Sequence, residues 1–73
     1  MMDEYKKVKM SLFLKKFHGT AGGFETRLWG AFGAADESNK IKLGVGFPVH
    51  YQVYKDWYNA PTEREYFKEY LND

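Results

Sequence analysis

From Lys40 to Tyr54 the chain reads KIKLGVGFPVHYQVY, and every odd position from Ile41 to Val53 is apolar. The even positions are Lys40, Lys42, Gly44, Gly46, Pro48, His50 and Gln52, with Tyr54 the exception. A period of two sends alternate side chains to opposite faces of a strand, one greasy and one polar or bare. Fully extended, the run would span about 50 Å, whereas a compact chain of this length has a radius of gyration of about 11 Å. It must therefore bend, and Gly46 and Pro48 mark the place, because proline cannot donate to a ladder and glycine tolerates the kink. Strands over 40–46 and 49–54 are predicted. The rival is a helix over 49–58, with Pro48 near its first position and Val53, Tyr54, Trp57 and Tyr58 on one face. The β-branched and aromatic content favours strand.

The same alternation starts at Lys7. Val8, Met10, Leu12 and Leu14 take one face; Lys7, Lys9, Ser11, Phe13 and Lys15 take the other. A helix over 5–17 competes, since Met10, Phe13, Leu14 and Phe17 also fit a helical spacing, and Asp3, Glu4 and Gly19 would suit its ends. Tyr5, Val8 and Leu12 would then lie on the opposite side, leaving no single apolar face, so strand is preferred. Residues 18–23 (HGTAGG) read as a turn. A second strand is expected over 24–32, with Phe24, Thr26, Leu28 and Phe32 on one face and Glu25, Arg27, Trp29 and Ala31 on the other; Gly30 marks a bulge or a close backbone approach. Residues 33–39 form a polar turn and 55–61 a connection. Thr62 and Glu65 have the spacing of a capping box. The helix that follows runs to about Leu71, with Tyr66, Phe67, Tyr70 and Leu71 as its apolar stripe and Glu63, Arg64, Lys68 and Glu69 in water. The expected fold is α+β: one domain over residues 1–73, an antiparallel sheet of three to four strands with one C-terminal helix packed on it.

Seventy-three residues bury a limited share of their surface. Six Phe, six Tyr and two Trp let few residues build a core. Cysteine is absent, which removes disulfides and thiolate metal sites. The net charge of +1 is too small to argue for nucleic acid by itself, but residues 1–32 carry +3 and residues 33–73 carry −2, so a basic side and an acidic side are expected. No apolar run is long enough to span a bilayer. A soluble, cytoplasmic monomer without a membrane partner is the expectation.

Catalysis finds little support. His18 and His50 are far apart in sequence and lie in no metal-ligand pattern, and neither Ser11 nor Ser38 sits in a nucleophile elbow. No enzyme activity, catalytic residue, metal or cofactor is expected. The segment 19–23 could cradle an anion and contains Gly-x-x-Gly, but it lacks the Lys-Ser/Thr of a P-loop and the basic residues of a nucleotide clamp. Two binding readings are left. Lys7, Lys9, Lys15 and Arg27, with Phe13 and Trp29 among them, would form the basic aromatic sheet face of a single-stranded nucleic-acid-binding module; the bland alternative is a solvated face whose lysines guard strand edges. The aromatic surplus of the C-terminal half, with Tyr54, Trp57 and Tyr58 as the candidate patch, suits a protein contact.

In its length, lack of cysteine, lack of a catalytic set and lysine–aromatic style, the chain resembles the small host-takeover proteins of lytic bacteriophages. Among these it is most similar to the RNA-polymerase-binding transcription inhibitors and antiterminators of Xanthomonas phages. The likeness is one of overall size and character. It implies a non-enzymatic regulator that docks on a host machine, RNA polymerase first, inhibiting initiation and suppressing termination. The single-stranded nucleic-acid module is the alternative.

Overall fold

The run from Lys40 to Tyr54 folds as parts of two helices. The computed structural model describes residues 3–71, and no β-strand occurs among them. Five α-helices follow one another: α1 Glu4–Phe13, α2 Gly23–Ala34, α3 Glu37–Gly46, α4 Pro48–Asn59 and α5 Glu63–Tyr66. A π-helical turn, Leu14–His18, extends α1, and a 3₁₀ turn, Lys68–Tyr70, follows α5. The antiparallel sheet expected from the alternation does not form, and the fold is small and all-α.

The reason lies in where the apolar residues go. The predicted break at Gly46–Pro48 is real, but it is a corner between helices. Pro48 opens α4, where its missing N–H costs nothing, and Phe47 alone joins α3 to α4. On a helix, residues two apart point about 200° away from each other. The odd positions of α3 therefore split. Leu43 and Phe47 pack inward against the core, while Ile41 and Val45 face solvent at 54% and 82% exposure. The helical rival for residues 49–58 is the one realised, with Val53 fully buried in α4.

The first and second expected strands are helices as well. Asp3 caps α1, its carboxylate accepting from the Tyr5 N–H (3.1 Å). Of the two apolar sides that argued against a helix, that of Val8 and Leu12 is buried, whereas on the other Phe13 is buried and Met10 is exposed. Phe13 and Phe17 meet the buried Phe67 of the C-terminal segment at 5.5 and 5.8 Å. The π-turn ends at Gly19, whose φ of +65° is the left-handed C-cap that glycine adopts without steric cost. In α2, Leu28, Trp29 and Phe32 are buried at helical spacing. A strand would have put Trp29 in water; here it is 2% exposed, and Phe24 is the residue turned outward. Gly30 makes no close approach. That role belongs to Gly44, where a Cβ would lie 2.5 Å from the Tyr51 ring. The break before α3 is at residues 35–36, and the Asp36 carboxylate accepts from the Asn39 N–H (2.9 Å).

The Thr62 cap is as expected, its hydroxyl accepting from the Glu65 N–H (3.0 Å). The helix it starts is shorter than predicted, giving way to the 3₁₀ turn. Its stripe is nonetheless the one read from spacing: Phe67 is fully buried, and Tyr66, Tyr70 and Leu71 pack around it. One core results, built from Val8, Leu12, Phe13, Leu28, Trp29, Phe32, Val53 and Phe67. The radius of gyration is 12.0 Å.

Candidate functional site

Two clusters of side chains carry chemistry. The first lines a groove of about 690 Å³ between α1, the start of α2 and α4. Ser11 Oγ donates to Glu25 Oε1 (2.8 Å) and accepts from the Trp29 indole N–H (3.1 Å). His50 Nε2 lies 2.9 Å from the same Glu25 oxygen. The imidazole packs on Trp29, centroids 5.1 Å apart, and edge-on to Phe47 at 5.9 Å. Serine, carboxylate and histidine are thus together, but the carboxylate is in the middle. The hydroxyl donates to the glutamate, and the imidazole reaches that same carboxylate rather than the hydroxyl. A nucleophile and its base must stand within hydrogen-bond reach of each other, so this order suits tying α1, α2 and α4 together better than it suits a nucleophile. Residues 11, 25 and 50 stand in no motif. Only the i, i+4 spacing of Glu25 and Trp29 on one helix could have hinted at the cluster.

The second cluster is the aromatic face of α4. It brings together the three residues proposed from sequence. Tyr54 lies 5.3 Å from Trp57 and 6.4 Å from Tyr58, and Trp57 is 6.4 Å from Tyr58. Tyr54 and Tyr51 both stack on Phe32, with interplanar angles of 22° and 13°, so a fully buried core ring fixes their orientation. Tyr58 is outermost, at 69% exposure. Lysines rim the face: Lys16 stands over Trp57 (4.2 Å to the centroid), Lys40 over Tyr54 and Tyr58 (5.6 and 5.7 Å) and Lys55 over Tyr51 (4.9 Å). Trp57 Nε1 donates to Glu63 Oε1 (3.1 Å). Sequence reasoning missed Lys55, which meets Tyr51 at the i, i+4 spacing of a helix, and Lys16 and Lys40, which meet their rings through packing between elements.

The basic sheet face does not exist as such. Lys7 and Lys9 point about 200° apart around α1. Lys7 lines the groove. Lys9 is drawn in, its side chain 12% exposed, pairing with Glu69 Oε1 (2.9 Å) above the Tyr66 ring (4.2 Å). Lys15 sits half-buried in the π-turn, and Arg27 is exposed on α2. Phe13 and Trp29, the rings meant to stack on bases, are both buried. The Gly-rich segment contributes Thr20, Ala21 and Gly22 to the groove wall.

A third polar set clasps the two ends of the described chain. Tyr5 donates to Asp56 Oδ2 (2.7 Å) and its hydroxyl shares a hydrogen bond with Tyr66 (2.6 Å); Gln52 donates to Asp56 Oδ1 (2.8 Å). Burial and the hydrogen bonds to Tyr66 and Asp56 hold the Tyr5 phenol far above its ordinary value near 10. Burial, partly offset by the Tyr5 hydrogen bond and reinforced by the Asp56 charge, pushes Tyr66 up to about 12.

Among the described residues, no group of three or more His, Cys, Asp or Glu side chains is arranged to hold a metal ion. No helix among them is long and apolar enough to cross a membrane. No known protein family, curated protein or solved structure matches this chain.

Proposed function

We propose that this chain is a non-enzymatic binding domain that docks on a partner protein through the outer face of α3 and the adjoining aromatic face of α4. The observation that carries the reading is the exposed apolar stripe of α3, Ile41 and Val45 one turn apart. Lys40, next to Ile41 in the chain, reaches over Tyr54 and Tyr58, so stripe and tyrosines adjoin. Exposed apolar surface beside polar rim residues is what marks an interaction site. Tyr and Trp are the residues that most often dominate binding energy. No chemistry is needed. A folded wedge seated on a large machine changes how its parts move, or which factors reach it.

The partner proposed is a bacterial host's RNA polymerase, with the protein acting in the host cytoplasm as a phage-type regulator of initiation and termination. The support for that choice is the chain's size and character; the support for docking is the surface. The test is capture of tagged protein with its ligands from nuclease-treated bacterial lysate, read by mass spectrometry, beside the double variant Ile41→Ser/Val45→Ser. Substitutions at such exposed sites change stability by about 0.5 kcal/mol or less, so an unchanged thermal melt certifies the variant. Stoichiometric polymerase subunits with the parent chain, lost with the variant, are the expected result. Absence of any stoichiometric protein partner, or equal capture by both forms, overturns the reading.

A further inference from the structure

Between α3 and α4 lies a cavity of about 270 Å³ walled by Tyr51, Tyr54 and Tyr58, with Lys40 on one side and Lys55 on the other. We infer that this cavity receives an acidic side chain of the partner, so that the segment seated on the aromatic face is an acidic peptide. The inference rests on the protein-docking reading and names the chemistry of what docks.

Three observations carry it. Lys9 and Lys68 pair with Glu69 and Glu65. Neither Lys40 nor Lys55 stands within ion-pair distance of a carboxylate among the described residues; each instead lies over tyrosine rings. A ring face satisfies an exposed cation only weakly. An ammonium also carries three donors, so most of its hydrogen-bonding capacity is open to a guest. The walls are set before a guest arrives, because Tyr51 and Tyr54 stack on the fully buried Phe32, and preorganised walls lower the entropic cost of binding.

The lining distinguishes a carboxylate from a nucleic-acid strand. A strand needs a cationic track along successive phosphates. Here there are two ammoniums, and the same cavity also holds Glu37. Beyond it, Lys16 stands over the Trp57 ring, 4.2 Å from its centroid, on a face where a base would stack, and the indole N–H engages Glu63. One compact anion between two lysines fits this arrangement; a polyanion running past Glu37 and Glu63 does not.

The test uses the whole chain, ¹⁵N-labelled, titrated with a C-terminally amidated decapeptide of alternating Glu and Gly. Its Gln–Gly counterpart and a twelve-nucleotide thymidine strand are the controls. Expected are saturable shifts confined to residues 40, 51, 54, 55 and 58 with the Glu peptide and none with the Gln peptide. The apparent Kd should rise at least tenfold in Lys40→Gln/Lys55→Gln at an unchanged melting temperature. Shifts spread over all lysines, or equal affinity in the double variant, overturn the inference. So does a thymidine strand that moves the same resonances at lower concentration. Capture from lysate separates the two readings. Partner retained by the parent chain and equally by Lys40→Gln/Lys55→Gln defeats the acidic-peptide inference alone. Peptide binding at Lys40 and Lys55 without any captured protein defeats the docking proposal alone.

Discussion

Helices α1 and α3 are both ten residues long and both alternate apolar and polar residues, yet the fold uses them in opposite ways. α1 is approached from three sides. Ser11 reaches α2, Tyr5 reaches Asp56 of α4, and Lys9 and Phe13 meet the C-terminal segment. α3 packs closely on α4, and Gly44 is its one buried residue. Apolar side chains on α1 therefore carry stability, while those on the far side of α3 are left for a partner. Both helices pack on α4, but α1 adds three buried side chains to the core, and α3, at its margin, is free to present surface.

The comparison breaks first at Leu12. Leu12→Ala removes a fully buried side chain and should cost about 2–5 kcal/mol in chemical denaturation. Ile41→Ala, a similar truncation on α3, should change stability by about 0.5 kcal/mol or less. Equal losses at the two sites would show that α3's outer face is covered in solution.

The inner face of α3 gives the next largest effect. Gly44→Ala places a methyl 2.5 Å from the Tyr51 ring. Overpacking of this kind costs roughly 1–3 kcal/mol, and the better helix propensity of alanine returns at most about 1 kcal/mol. The expected net loss is up to about 2 kcal/mol. In a double-mutant cycle with Tyr51→Ala the two changes should couple, the second relieving the first. Additive losses would place the strain elsewhere.

The smallest effect concerns the clasp at α1. Tyr5→Phe leaves Asp56 with Gln52 as its remaining side-chain donor and should cost about 1 kcal/mol near neutral pH. Its signature is at high pH. A phenol whose folded value lies above its unfolded one holds its proton longer in the native state, so its contribution is intact below pH about 10 and is lost as pH rises through the folded value. With Tyr66 held up to about 12 and Tyr5 raised as well, stability should fall steeply between about pH 10 and 12 in alkaline titrations of the melting temperature. Tyr5→Phe should flatten that fall, and an unchanged slope would mean the clasp does not titrate as a unit.

How much of this was legible in the sequence follows from the same contrast. The Pro48 break, the Thr62 cap and the Tyr66–Phe67–Tyr70–Leu71 stripe are local effects, set by one residue's backbone or one turn's spacing, and local reading found them. The helices themselves were misread, because a period-two test assumes that the wet side of an element is polar. In α3 the wet side carries Ile41 and Val45, so a helix exposing two of its three apolar side chains looks like a strand hiding all of them. α1 failed the helical test because Met10 was counted as core: it is exposed on the wet side with Glu4, Lys6 and Lys7, and Val8, Leu12 and Phe13 make the buried face. The aromatic patch was legible because Tyr54, Trp57 and Tyr58 are close in the chain. Lys16 and Lys40, and the Ser11–Glu25–His50 cluster, depend on tertiary placement that no spacing announces.

The clasp between Tyr5 and Tyr66 has a cost of its own. The Ser11–Glu25 bridge joins residues 14 apart, whereas Tyr5 and Tyr66 are 61 apart. Each doubling of a loop adds about 0.6 kcal/mol of closure entropy, so the longer tie must repay roughly 1.2 kcal/mol more before it adds anything to stability. Tyr5 and Gln52 converge there on the Asp56 carboxylate, Tyr66 joins through the Tyr5 hydroxyl, and a fourth contact, Lys9 to Glu69, stands on the same flank. A single hydrogen bond would be spent on bringing the strand of chain round; several formed together leave a surplus that holds it closed.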